Sequence, residues 1–139
     1  MSLTLNLDYQ YNASIEKVWS ALTDSSKLAK WVFNIQTGVA MENDFKAEVG
    51  HRFQFRTEPS QWWNGIIEGE VLIVDEPHKL SYTWEGGEKH TVTWTLQVLE
   101  DGKVNLHLEQ TGISNEPALN GAKYGWGAWF GKIEEVLEQ

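Results

Sequence analysis

The apolar residues of this chain alternate along most of its length and then fall into one long helical stripe. Leu119, Ala122, Trp126, Trp129, Phe130, Ile133 and Leu137 recur at the spacing of one helix face over about five turns. Pro117 stands where a first helical turn tolerates a proline. Such a stripe must be buried against something, and the preceding residues supply a sheet. From Phe45 to Gly112 short runs alternate apolar with polar and are separated by turn residues. Phe53 and Phe55 alternate with Arg52, Gln54 and Arg56, and Pro59-Ser60 leads into a run holding Trp63, Ile67, Gly69, Val71 and Ile73. Asp75-Glu76-Pro77-His78 turns the chain into Leu80, Tyr82 and Trp84, and Gly86-Gly87 turns it again into Val92, Trp94, Leu96 and Val98. Asp101-Gly102 is a strong hairpin signal and returns the chain through Val104, Leu106, Leu108 and Gln110. Strands joined by short turns make an antiparallel meander with one buried face.

The first residues alternate too, with Leu3, Leu5, Leu7, Tyr9 and Tyr11 on one side of a strand. The period then changes: Ile15, Val18, Trp19 and Leu22 form the stripe of a short helix, with Ser14 as its N-cap and Glu16 in the first turn. Ser25 is placed to cap a second short helix, whose Leu28, Trp31 and Val32 face the core. The predicted order is one strand, two short helices, about six more strands and a long helix, an α+β fold of two layers.

Length and charge limit the rest. At 139 residues the chain has the size of one domain, read here as residues 1–139 without linker or repeat. It carries 20 Asp and Glu against 11 Lys and Arg, a net charge of -9 with no basic cluster, which argues against nucleic acid as a partner. With no cysteine there is neither a disulfide framework nor a thiolate site. No apolar run is long enough to span a membrane, and the first residues lack the pattern of a signal peptide, so a cytoplasmic protein is expected.

Several stretches together resemble the SRPBCC superfamily, the START-like and birch-pollen-allergen-like proteins. They are Ala13 to Asp24 (ASIEKVWSALTD) followed by Lys30-Trp31, Glu68 to Leu72 (EGEVL), Pro77 to Trp84 (PHKLSYTW), Leu108 to Gly112 (LEQTG) and Gly125-Trp126. Within that superfamily the chain is similar to the branch named after the activator of the heat-shock-protein-ninety ATPase. The resemblance implies a helix-grip fold, a curved antiparallel sheet of six to seven strands wrapped on the C-terminal helix. It also implies an apolar cavity between them that takes lipids, polyketides or other hydrophobic molecules. The branch name implies a chaperone as a further kind of partner, and self-association is a third. Two positions depart from the pattern: Gly50-His51 stands where a glycine pair is frequent, and Gln110 where a histidine is frequent.

The eight tryptophans give that interior its character. By parity Phe53, Phe55, Trp63, Tyr82, Trp84, Trp94, Leu106 and Leu108 face the helix that carries Trp126 and Trp129, with Gln110 a polar group among them. Together with Trp31 these are the predicted ligand-binding residues, although the same rings also suit a solid core. Gly121 and Gly131 lie on the far side of the last helix, while Gly125 and Gly127 flank its stripe and would let neighbours approach. Gly121, Tyr124, Ala128 and Gly131 form a smooth outer patch.

No catalytic motif is found. The inward polar groups are Gln110 and Tyr82, with Tyr9 and His51 as further candidates. His107 falls on the outward parity, His90 starts a strand, and no two histidines have metal-ligand spacing, so neither a metal nor another cofactor is expected. Glu68 and Glu70 share the face opposite Gly69, a solvated one. The leading expectation is a module that binds a small hydrophobic molecule. A co-chaperone-like interaction domain and an enzyme acting on a bound hydrophobic substrate are the alternatives.

Overall fold

The computed structural model describes residues 2–33, 37–59, 61 and 64–138. Its elements run in the expected order: β1 (Leu3–Tyr11), α1 (Ile15–Thr23), α2 (Ser25–Trp31), β2 (Glu42–Asn43), β3 (Arg52–Arg56), β4 (Ile66–Asp75), β5 (Lys79–Glu85), β6 (Lys89–Val98), β7 (Val104–Ile113) and α3 (Glu116–Leu137). Among the described residues the strands form one seven-stranded antiparallel sheet in the order β1-β7-β6-β5-β4-β3-β2. From β2 to β7 each strand pairs with its neighbour in sequence, as short turns require, and β1 closes the far edge against β7. The helices cover one face, which makes this a helix-grip α+β fold.

Local chemistry sets the helix ends. Ser14 Oγ accepts from the Lys17 amide at 3.2 Å and starts α1, which buries Val18, Trp19, Ala21 and Leu22. The second cap is Asp24 rather than Ser25. The Asp24 backbone amide donates to Ser20 O and ends α1, while its carboxylate accepts from Ser26 N at 2.9 Å and starts α2. A carboxylate suits the positive end of a helix better than a hydroxyl, and one residue thereby joins two helices. Hydrogen bonds from Ser26 hold the Asp24 carboxyl below its ordinary range. In α3, Asn115 caps the first turn through Ala118 N at 2.9 Å, and Trp126, Trp129, Phe130, Ile133, Val136 and Leu137 are buried. Leu119 and Ala122, at the N-terminal end of the same stripe, are only half-buried.

Strand parity holds along the middle of the strands, but Val98 at the end of β6 is exposed and Ile113 of β7 is buried past a register shift against β1. In β4, Ile67, Gly69 and Val71 point inward, but the register shifts between Val71 and Ile73. The extra residue of this bulge turns Ile73 outward beside Leu72, at 42% and 40% exposure, and Val74 packs on the core instead. Phe45 is buried but lies beyond β2, in the connection to β3. On the outer face, Arg52 stands among Glu68, Glu70 and Glu85 at 3.6–3.8 Å, so the glutamate pair is solvated and ion-paired as its parity implies. His107 also points outward, with Nδ1 2.9 Å from Asp8 Oδ1.

Candidate functional site

The inward residues of β3, β5, β6 and β7 meet α2 and α3 in one aromatic cluster. Phe53, Phe55, Trp94, Leu106, Leu108 and Trp31 are at most 2% exposed. Trp94 meets Trp126 edge-on at a centroid separation of 5.3 Å, Trp126 meets Trp129 at 4.9 Å, and Trp31 bridges Trp94 and Trp129. Tyr82 lies against Phe53 and Trp84, and Trp84 touches Phe55, Trp126 and Trp129. Edge-to-face contacts of this kind add about 0.5–1.5 kcal/mol per pair beyond area burial. Of the expected site residues, Trp63 lies outside the described residues and the others are brought together here. Under the middle of α3 the described rings pack on one another.

The indole N–H groups of Trp31, Trp94, Trp126 and Trp129 each have an acceptor. Trp31 Nε1 donates to Ala21 O at 2.7 Å, Trp129 Nε1 to Phe33 O at 3.1 Å and Trp94 Nε1 to the Tyr82 hydroxyl at 2.8 Å. Burial pushes the Tyr82 phenol well above its ordinary value, so it stays protonated and serves as a hydrogen-bonding group rather than a base. Tyr11 is raised by the same cause, and its hydroxyl donates to Phe130 O at 2.9 Å. Tyr9 donates to Glu134 at 2.7 Å, and that bond raises it.

One of several surface clefts adjoins an end of this cluster, over the first turns of α3. This cleft of about 440 Å³ is bounded by Ile67 of β4, Trp84 of β5, the Gly86–Glu88 turn, His90 of β6, Gln110 of β7, Ser114-Asn115 and the side chains of Ala118 and Ala122. The sequence builds it in three ways. Gly87, at φ 138°, lets the β5–β6 turn fold tightly. Trp84 and His90 face each other across that hairpin. Alanines at 118 and 122 keep this end of the helix thin.

One hydrogen-bonded chain lines the polar wall. Trp126 Nε1 donates to Gln110 Oε1 at 2.7 Å, Gln110 Nε2 lies 2.6 Å from His90 Nδ1, and His90 Nε2 lies 2.7 Å from Glu88 Oε1. Glu88 Oε1 also accepts from Ser114 N at 3.1 Å. An indole nitrogen can only donate, so the Gln110 oxygen faces Trp126 and its NH₂ faces His90. His90 Nδ1 is then the acceptor, and Nε2–H donates to the Glu88 carboxylate. The bond from His90 comes first among the causes that hold the Glu88 carboxyl below its ordinary value. Of the four polar groups expected on the inward face, only Gln110 reaches the cleft. His51 is held elsewhere by Asp44 O at 2.8 Å, and Tyr82 is sealed in the core. Of the expected ligand-binding residues that are described, only Trp84 and Gln110 line the cleft; Ile67, Glu88, His90, Ala118 and Ala122 also line it and were not among them. The signal for His90 was its parity, which it shares with Val92, Trp94 and Leu96.

The comparisons with known proteins place this architecture. The family described as Activator of Hsp90 ATPase homolog 1-like protein matches over residues 12–138. The chain belongs to that family. Among solved structures, protein MLL2253 from Mesorhizobium loti is 33% identical with a TM-score of 0.82, covering 98% of this chain and 97% of that one. Protein CV1439 from Chromobacterium violaceum is 23% identical with a TM-score of 0.80 over 98% and 97% of the two chains. CalU16 from Micromonospora echinospora, 22% identical with a TM-score of 0.74, is covered over 76% of its length by 98% of this chain. Curated proteins give no match. The fold and the SRPBCC membership of this AHSA1-like chain are thus as its sequence implies. Among its described residues no helix is long and apolar enough to cross a membrane.

Proposed function

We propose that this AHSA1-like protein binds a small hydrophobic molecule at the open end of its helix-grip interior, in the cleft over Trp84. The observation that carries the reading is the lining itself. Ile67, Trp84, Ala118 and Ala122 offer an apolar floor and walls, while Gln110 and His90 stand on one side, already oriented by Trp126 and Glu88. About 440 Å³ falls within the usual range for small-molecule sites, which pair apolar walls with a few placed polar groups. Family membership supports the same reading, because the helix-grip architecture turns one end of its interior toward solvent. The volume suits a molecule of naphthalene size, its ring against the Trp84 indole and a polar substituent toward the Gln110 amide.

Filling the cleft tests this. Ala122→Trp places an indole in the open space from a half-buried position on α3. NMR titration with naphthol is expected to shift the amides of Trp84, His90 and Ala122 in the natural protein. The variant, folded by circular dichroism, should show at least a tenfold loss of affinity. Shifts that appear elsewhere, or that persist unchanged in the variant, would overturn the site.

A further inference from the structure

Resting on that ligand reading, we infer that the cleft discriminates by charge, admitting neutral or cationic aromatic molecules and turning away carboxylates. Among the described residues, the side chains that bound it include one carboxylate, Glu88, and neither lysine nor arginine. His90, the other ionisable group of the wall, makes the hydrogen bonds of the neutral ring, with Nδ1 accepting from Gln110 and Nε2–H donating to Glu88. A protonated His90 would set an N–H against the Gln110 NH₂, whose direction the Trp126 indole fixes. The wall therefore supplies no positive partner for an anion.

The N-terminus of α3 opens nearby and would by itself attract negative charge, but the protein's own groups already occupy it. Asn115 caps Ala118 N, Glu88 accepts from Ser114 N, and Glu116 stands in the first turn. An incoming carboxylate meets Glu88 where an anion would otherwise sit. The chain as a whole carries a net charge of -9, which adds a long-range field of the same sign. An ammonium group on the ligand gains from both.

Three probes of one ring system separate the possibilities: naphthol, naphthoate and naphthylmethylammonium, each titrated by NMR at neutral pH and low salt. Naphthol and the ammonium are expected to shift the amides around Trp84 and Ala122. Naphthoate should bind at least tenfold more weakly, the factor expected for like charges a few ångströms apart at a partly exposed site. Glu88 is a surface side chain, and Glu88→Gln should bring naphthoate to within about threefold of naphthol while reducing the affinity for the ammonium. Added salt should narrow the gap in the natural protein. If all three probes bind alike and Glu88→Gln changes nothing, charge selection is overturned and the ligand site stands. If none binds, the ligand reading itself falls, and this inference with it.

Discussion

Gln110 is buried, and both ends of its amide are engaged, the oxygen by Trp126 Nε1–H and the nitrogen by His90 Nδ1. Gln110→Leu keeps the approximate volume but leaves a buried indole N–H without an acceptor. The expected cost is about 1–3 kcal/mol in urea unfolding, the penalty for stranding a buried polar group rather than the smaller net value of a hydrogen bond. Adding Trp126→Phe should recover part of that loss, because the stranded indole N–H is then gone and only His90 Nδ1, at the edge of the cleft, has lost its partner. A single variant as stable as the natural protein would show that the chain of bonds adds nothing to the fold. The inward position of Gln110 was legible from strand alternation, and so was that of His90, which shares the parity of Trp94. Their partners were not legible. Trp126 lies 16 residues from Gln110 and His90 lies 20. Which atoms meet depends on where α3 lands on the sheet, and periodicity does not specify that.

At the scale of elements, the alternation and the helical stripe were enough to place the strands and helices in order. Details that turn on one competing residue escaped. Asp24 outcompetes Ser25 for the cap because it can end one helix and begin the next. The β4 bulge turns Ile73 outward, and period-two reading has no means of seeing an inserted residue. The glycines divide sharply once their surroundings are known. A Cβ at Gly121, Gly127 or Gly131 of α3 would meet nothing within 4 Å, so the close approach expected at Gly127 does not occur. Alanine at any of the three should raise stability by up to about 1 kcal/mol, since glycine in a helix costs backbone entropy without a packing return. Gly69 is the opposite case. It lies across the ladder from Phe53, and a Cβ there would collide with the Thr83 carbonyl oxygen and the Phe53 ring. Gly69→Ala should cost more than about 2 kcal/mol, as overpacking at a site walled by backbone. Chemical unfolding of the four variants checks both signs. Equal effects at positions 69 and 127 would mean that space does not decide.

The whole molecule sets a tryptophan-rich interior inside a shell of net charge -9, and acid acts on that shell in two opposing ways. Protonating carboxylates relieves the self-repulsion of an acidic surface, which favours the compact state. Against this, several carboxylates are tied into local hydrogen bonds that acid removes. Asp8 is held below its ordinary value first by Asn105 and then by His107, Asp24 by Ser26, Glu85 by the Thr83 hydroxyl at 2.7 Å, and Glu88 by His90. Each of these groups therefore binds a proton more weakly in the folded protein than in the unfolded chain. Their contribution is fully present above the unfolded values of 3.8 for Asp and 4.5 for Glu, and is lost as pH falls through the lower folded ones. Three of the groups are exposed and Glu85 is half-buried, so each contribution is modest, but all four have the same sign. Self-repulsion is spread over distant charges and is screened by salt, whereas hydrogen bonds of 2.6–3.0 Å are not. The local bonds should win. At physiological ionic strength the melting temperature should fall steadily between about pH 5 and pH 3. Glu85→Gln, which removes one of the depressed carboxyls, should make that fall shallower. A melting temperature that rises on acidification would instead put the surface charge, and not its hydrogen bonds, in control of acid stability.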